Sequence, residues 1–307
     1  MNDQINPALN WVSLQIEPFL LWVTSSEFDR KYSPNTIRAM NQALVSFSGY
    51  IGKSSVESPN EVNIAVIRGF RYNLHVNGLS LSTIRQRLSV IDFFFDFMLT
   101  SGLVGQNPVE ELKNSDSSRK RRGGRIKKRL PSVIALADQD ELIRLTLNTE
   151  KQSAVRDAAL LGLFLDSGLR VEEMTGLTLA HGLLMLNTGK VRVVGKGDKE
   201  RLVTPMNHYI DQWGSWIESR RSLPDESPLF PSRVQGDFMQ PMSQQGVYKV
   251  VHRALTRCGV HAPQMGAHLL RHSAASRMLH DGRTLKEVQE TLGHESITTT
   301  ELYLHLL

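Results

Sequence analysis

One run of charge divides this chain. Residues 116–130 hold Arg119, Lys120, Arg121, Arg122, Arg125, Lys127, Lys128 and Arg129 against Asp116 alone, a local charge of +7. The flanking stretches 1–115 and 131–307 each sum to −1, so the whole formal charge of +5 arises in this run. Like charges at this density repel one another, and Gly123 and Gly124 disfavour a helix, so the segment reads as an extended tether. Polar Asn114-Ser115-Asp116-Ser117-Ser118 leads into it and Leu130-Pro131 closes it, as boundaries do. The expected organisation is a domain over 1–115, a basic linker over 116–131 and a second domain over 132–307.

Composition excludes several classes. With 307 residues, 40% hydrophobic and 22% charged, the chain is long enough for two domains with real cores and is not a disordered or fibrous sequence. Cys258 is the only cysteine, which excludes an internal disulfide framework and a cysteine-rich zinc module. No apolar run approaches the ~18 residues of a membrane span. The first residues, MNDQINPALNWVSLQIEPFLLWV, are acidic before their apolar part and offer no small-residue cleavage site. A cytoplasmic protein is the expectation.

The two flanks read differently. Residues 1–115 are helical in pattern. In STIRQRLSVIDFFFDFMLTS, with Ser82 as the N-cap, Ile84, Leu88, Ile91, Phe95 and Met98 recur at spacings of three or four, and Phe93, Phe94 and Phe97 widen the apolar face. Asn107-Pro108 stops the pattern, and Ser33-Pro34-Asn35 opens an earlier helix. Nothing in this half has the residues of a catalyst, so it reads as a four- or five-helix binding module. Residues 132–307 mix helical segments with a hairpin, the runs 190–194 and 201–204 around the turn Gly195-Lys196-Gly197-Asp198. The expected fold is mainly α with a small antiparallel β-sheet in the C-terminal domain.

Five segments of the second domain carry polar residues that could do chemistry. Arg170 follows an apolar helix, with Glu173 three positions on. Lys196 sits in the hairpin turn. His268 and Arg271 lie three apart on a helix and share a face. His294 follows Leu292-Gly293, and Tyr303 stands nine residues later. The pair His268 and His272 has the i, i+4 spacing of zinc ligands, but it lacks the glutamate of HExxH and a third ligand, so no metal is expected. Each segment alone has an ordinary reading: a surface ion pair, a solvated lysine, a packed tyrosine.

Taken in order, SGLRVEEMTGL, VRVVGKGDKERLV, HLLRHS and VQETLGHESITTTELYLH resemble the tyrosine recombinase (phage integrase) family. The first half, through SPNTIRAM, GLSLSTIRQRLSVIDFFFDFML and NPVEELK, resembles the SAM-like core-binding domain of its Xer-like branch, so the likeness covers essentially the whole chain. The resemblance implies a two-domain DNA clamp that cleaves and rejoins DNA through a 3′-phosphotyrosyl intermediate, with no metal, ATP or other cofactor. It implies Tyr303 as nucleophile and Arg170 and Arg271 as guanidinium forks on the non-bridging oxygens, a geometry lysine cannot copy. His268 would bond the phosphate and help accept the tyrosine proton, and His294 would donate to a non-bridging oxygen. Lys196 would protonate the departing 5′-oxygen. Glu173 would orient Arg170. The basic linker would lie along the phosphate backbone. The partners implied are duplex DNA with specific recombination sites and a tetramer of self or paralogue on paired sites. Mobile-element integration or excision and Xer-like resolution stay open alternatives. Only Leu304, His305, Leu306 and Leu307 follow Tyr303, where many members continue into a helix that docks on the neighbouring protomer.

Three rival classes use part of this repertoire. A DNA-binding protein without activity would not need all six catalytic positions filled. A type IB topoisomerase would not carry the Xer-like first half, and a metal-dependent nuclease would lose cleavage in a chelator.

Overall fold

The structure, a computed structural model, describes residues 10–25, 31–110, 112, 131–195, 200–233 and 239–306. The chain forms two compact units, Met1–Ile126 and Lys127–Leu307, and the division falls inside the basic run. That run, with all eight of its cations, lies outside the described residues, as does Lys196.

Among the described residues the first unit has the helices α1 (Trp11–Thr24), α2 (Pro34–Ile51), α3 (Ile64–Val76) and α4 (Leu81–Thr100), with a further helical turn over 108–110. Their starts follow capping chemistry. The Asn10 side chain accepts from the backbone of Val12 and Ser13, and Ser33 caps α2 with Pro34 in its first turn. The helix α4 begins two residues earlier than its sequence indicates: Ser80, not Ser82, is extended and accepts from the Thr83 backbone N–H at 3.2 Å. It also ends before Asn107-Pro108, at Thr100, where Gly102 takes a left-handed φ of 70°. Its apolar stripe does what the spacing predicts, burying Ile84, Ile91, Phe95 and Met98. Phe19 of α1 meets Phe93, Phe94 and Phe97 of α4 edge-on at ring-centroid distances of 5.5 to 5.7 Å, the orientation that ring quadrupoles favour.

The second unit packs around one central helix. Its elements are α5 (Leu136–Leu147), α6 (Ala154–Ser167), α7 (Val171–Thr175), α8 (Leu179–Thr188), β1 (Val191–Val194), β2 (Glu200–Val203), α9 (Ile210–Glu218), α10 (Gln244–Arg257), α11 (Ala267–His280), α12 (Leu285–Leu292) and α13 (Ile297–Thr300), then a 3-10 helix Glu301–Leu306. AVRDAALLGLFLDS is apolar nearly all round, and all but one of the α6 residues are buried, as a helix enclosed by neighbours must be. The strands pair antiparallel with Val191 opposite Val203 and Val193 opposite Arg201. Val191, Val193 and Val203 face the core, so Arg201 shares that inward face. LLMLNT, just before the hairpin, belongs to α8. Thr178 caps that helix, and Gly189 ends it at φ 69°. Among the described residues no helix is long and apolar enough to cross a membrane.

Candidate active site

The site begins where α6 ends. Gly168 closes that helix in the left-handed region at φ 62°, and a Cβ there would lie 2.7 Å from Leu292 Cδ2. Backbone conformation and close approach both demand glycine. The reversal places Arg170 at the head of α7, where its backbone N–H donates to Glu173 Oε2 at 2.7 Å and its Nη1 to Glu173 Oε1 at 3.0 Å. Arg201 reaches the same carboxylate from β2, giving Nη1 to Oε1 at 2.5 Å and Nη2 to Oε2 at 2.8 Å. Burial drives the Glu173 carboxyl upward, but the Arg201 hydrogen bonds and the Arg170 N–H outweigh it and hold the group below its ordinary range.

The other end of the arrangement is the last turn of α12. A helix C-terminus leaves carbonyls without intrahelical partners and carries partial negative charge. Here three consecutive carbonyls each hold one arginine. Thr291 accepts from Arg201 Nε at 2.9 Å, Leu292 from Arg271 Nη2 at 2.6 Å, and Gly293 from Arg170 Nη2 at 2.8 Å. Arg271, buried on α11, also donates Nη1 to the Gly168 carbonyl at 2.6 Å. Three guanidinium groups thus meet one carboxylate, a surplus of two positive charges among these four groups. Burial and the neighbouring Arg170 lower the Arg271 pKa to about 10, still charged at neutral pH. Arg170 and Arg271 each commit two of five N–H donors to these bonds, which fixes their planes and leaves donors for an anion.

Gly293 turns the chain out of α12 at φ 64°, and a Cβ there would stand 2.9 Å from Arg201 Cδ. The next residue, His294, engages Thr300 Oγ1 through Nδ1 at 2.9 Å, leaving Nε2 as the nitrogen able to meet an oxyanion. Burial, Arg271 and Arg170 push its pKa down to about 4. Tyr303 stacks on His294, ring centroids 6.4 Å apart and planes at 16°. Its side chain is only 2% exposed and packs with Met206, Ala275, Met278, Leu279, Val288 and Leu292. Its hydroxyl lies 2.6 Å from His272 Nδ1. Burial raises the phenol pKa and Arg271 opposes that rise.

Arg170, Glu173, Arg271, His294 and Tyr303, spread over more than 130 residues of sequence, are therefore gathered around the end of α12. His268 lies one turn before His272 on α11 and is exposed, although Arg271 three residues on is buried. Two participants escaped the sequence reading. Arg201 carried a signal, an arginine in inward register beside Val203; His272 carried none that points to Tyr303, a contact across 31 residues. Among the described residues no cluster of three or more His, Cys, Asp or Glu could hold a metal ion. Outside this cluster, Tyr248, Lys249, His252, Arg253, Thr256 and Arg257 line a groove on the outer face of α10.

Comparison with known proteins accords with this geometry. Residues 136–307 match the model of the phage integrase family, and residues 22–102 match its N-terminal SAM-like domain. Tyrosine recombinase XerC of Xanthomonas campestris pv. campestris is 32% identical over 301 residues, covering 95% of this chain and 84% of the relative. XerH recombinase bound to a palindromic difH substrate shares the fold at TM-score 0.71 and 20% identity, over 96% of this chain and 92% of the other. The Tn1549 transposon integrase bound to a circular intermediate DNA gives a TM-score of 0.68 at 15% identity, over 94% of each chain. The chain belongs to the phage integrase family, the tyrosine recombinases, which are site-specific enzymes of DNA strand cleavage and rejoining.

Proposed function

We propose that this chain recombines duplex DNA at specific sites, with Tyr303 as the nucleophile on the scissile phosphate and Arg170 and Arg271 as the cradle for its non-bridging oxygens. The observation that carries the reading is the gathering of three arginines, one orienting carboxylate, His294 and Tyr303 around one helix end. A phosphate becomes more crowded and more negative as a fifth oxygen approaches, and fixed donors aimed at that charge stabilise it most. The surplus of two positive charges suits such an anion. His294, held neutral before DNA arrives, gains a proton more readily once a phosphate lies beside it. His268, exposed at the head of α11, is free to bond the same phosphate. Lys196 acts as the acid for the 5′-oxygen, and Glu173 and Arg201 are positioning residues. A phenol ester retains the energy of the broken bond, so rejoining requires no ATP.

The buried phenol must be uncovered before it attacks. α13 and the 3-10 helix that carry it are four and six residues long, short elements whose rearrangement is inexpensive. The basic face of α10 and the eight linker cations give the electrostatic footprint of a protein that binds the phosphate backbone. Exchange between two duplexes requires two sites and four active subunits, either copies of this chain or a paralogue. The likeness spans tyrosine recombinase XerC and a transposon integrase alike, so Xer-like resolution and mobile-element movement both fit the same chemistry. The test is covalent capture on a suicide substrate. Tyr303→Phe is expected to abolish capture while site binding stays within about twofold; capture by that variant at a substantial rate would exclude Tyr303 as the nucleophile.

A further inference from the structure

We infer that His272 is the proton acceptor for the attacking tyrosine, a catalytic residue in its own right. The inference rests on the reading of Tyr303 as nucleophile and deepens it. Its basis is a contact: the Tyr303 hydroxyl lies 2.6 Å from His272 Nδ1, inside the range for proton transfer. The ring centroids stand 5.6 Å apart with planes at 48°, and the contact is made by an imidazole nitrogen at the ring edge.

The environment favours this role on every side. The charged and titratable groups facing His272 are His268 and Arg271 on its own helix, His294 from the turn after α12, and Tyr303 itself. Burial, His268 and Arg271 all hold the imidazole neutral, the form with an open lone pair. With the Nε2 tautomer, Nδ1 accepts the phenolic hydrogen bond. As the Tyr303 oxygen pair forms the new bond to phosphorus, its proton passes to His272 Nδ1. The bond from phosphorus to the 5′-oxygen breaks, and that oxygen takes a proton from Lys196. The imidazolium so formed next to Arg271 is offset by the extra negative charge on the five-coordinate phosphate. In the rejoining step the same proton returns to the departing phenolate oxygen.

His268 does not occupy this position. The two histidines are one turn apart, but the exposed one has no bond to the phenol, whereas the half-buried one does. The structure therefore separates two tasks that the resemblance gives to one side chain: His268 is left to the phosphate and His272 takes the proton.

The experiment compares wild type with His272→Asn, His272→Ala and Tyr303→Phe in single-turnover cleavage of a suicide duplex, from pH 6.5 to 9.5. Asn presents an oxygen near the Nδ1 position and keeps the hydrogen bond, but it is not a base. Cleavage by His272→Asn is expected to fall by about 10²-fold at pH 7 and to recover about tenfold per pH unit as hydroxide ionises the phenol. DNA binding by gel shift and thermal melting, read alongside, are expected to match wild type for the Asn variant. A His272→Asn enzyme with wild-type rate and wild-type pH profile overturns the inference. So does a loss that is independent of pH and equal in the Asn and Ala variants, which marks a packing role. Capture by Tyr303→Phe would instead overturn the reading of the nucleophile, so the two failures are distinguishable.

Discussion

Replacing Glu173 with glutamine is the sharpest probe of how this site is assembled. The carboxylate is 3% exposed and accepts from both Arg170 and Arg201, whose side chains are 33% and 12% exposed. Glutamine matches its shape, but its amide NH2 faces a guanidinium donor where an oxygen stood. Three arginines are then left crowded with no counter-charge. Breaking one partner of a buried ion pair costs 3–5 kcal/mol, and the partial exposure of Arg170 argues for the lower end, about 3 kcal/mol. For a unit of this size that is about 6–12 °C in the melting transition of Lys127–Leu307, measured by calorimetry on the full chain. Cleavage of a suicide substrate is expected to fall by about 10²-fold, the effect of losing one aligned oxyanion donor. Added sulfate should restore part of the melting temperature in the variant, since an anion can replace the missing carboxylate. A shift under 2 °C with cleavage within threefold of wild type would refute the argument that Glu173 holds the arginines in place.

Two further outcomes follow from single positions. Asp166 is fully buried, with one oxygen accepting from the Tyr209 N–H and Trp213 Nε1 and the other without a partner among the described residues. Burial pushes its pKa up to about 6, above the roughly 3.9 of an unfolded chain, so the native state holds a proton that the unfolded state releases. Stability therefore falls as pH rises from about 4 to 6, by about 3 kcal/mol in all, and stays lowered at neutral pH. Asp166→Asn is expected to flatten that slope and raise the urea midpoint at pH 7.5; an unchanged slope would assign the titration to another group. Gly293→Ala combines left-handed backbone strain of about 1–3 kcal/mol with a Cβ pressed on Arg201. It is expected to lower the melting temperature and to slow cleavage more than DNA binding; equal loss of both would count against displacement of Arg201 as the cause.

How much of this was legible beforehand depends on the range of the interaction. The helices of both units follow local rules: apolar spacing in STIRQRLSVIDFFFDFML, a serine and proline at the head of α2, glycines at the ends of α6, α8 and α12. Errors arose where local signals competed. Ser80, Ser82 and Thr83 all offer a capping hydroxyl, and the one whose own backbone is extended prevails. The tight approach of Gly182 to Leu229 and Ile217 within α8 is a tertiary contact that periodicity does not carry. At the site, the order of Arg170, His268, Arg271, His294 and Tyr303 could be read from their motifs. The His272 hydroxyl contact and the pairing of Arg201 with Glu173 could not, since both join segments of the chain that lie about 30 residues apart.

The three carbonyls at the end of α12 give the site a collective character. Because Thr291, Leu292 and Gly293 grip one arginine each and the same stretch of chain then leads to His294 and Tyr303, unwinding that single turn would take one anchor from every arginine and displace the nucleophile together. Half-assembled forms, able to nick without rejoining, are thereby kept scarce. An enzyme built this way is expected to lose competence in one step under heat or denaturant, before the rest of its fold gives way.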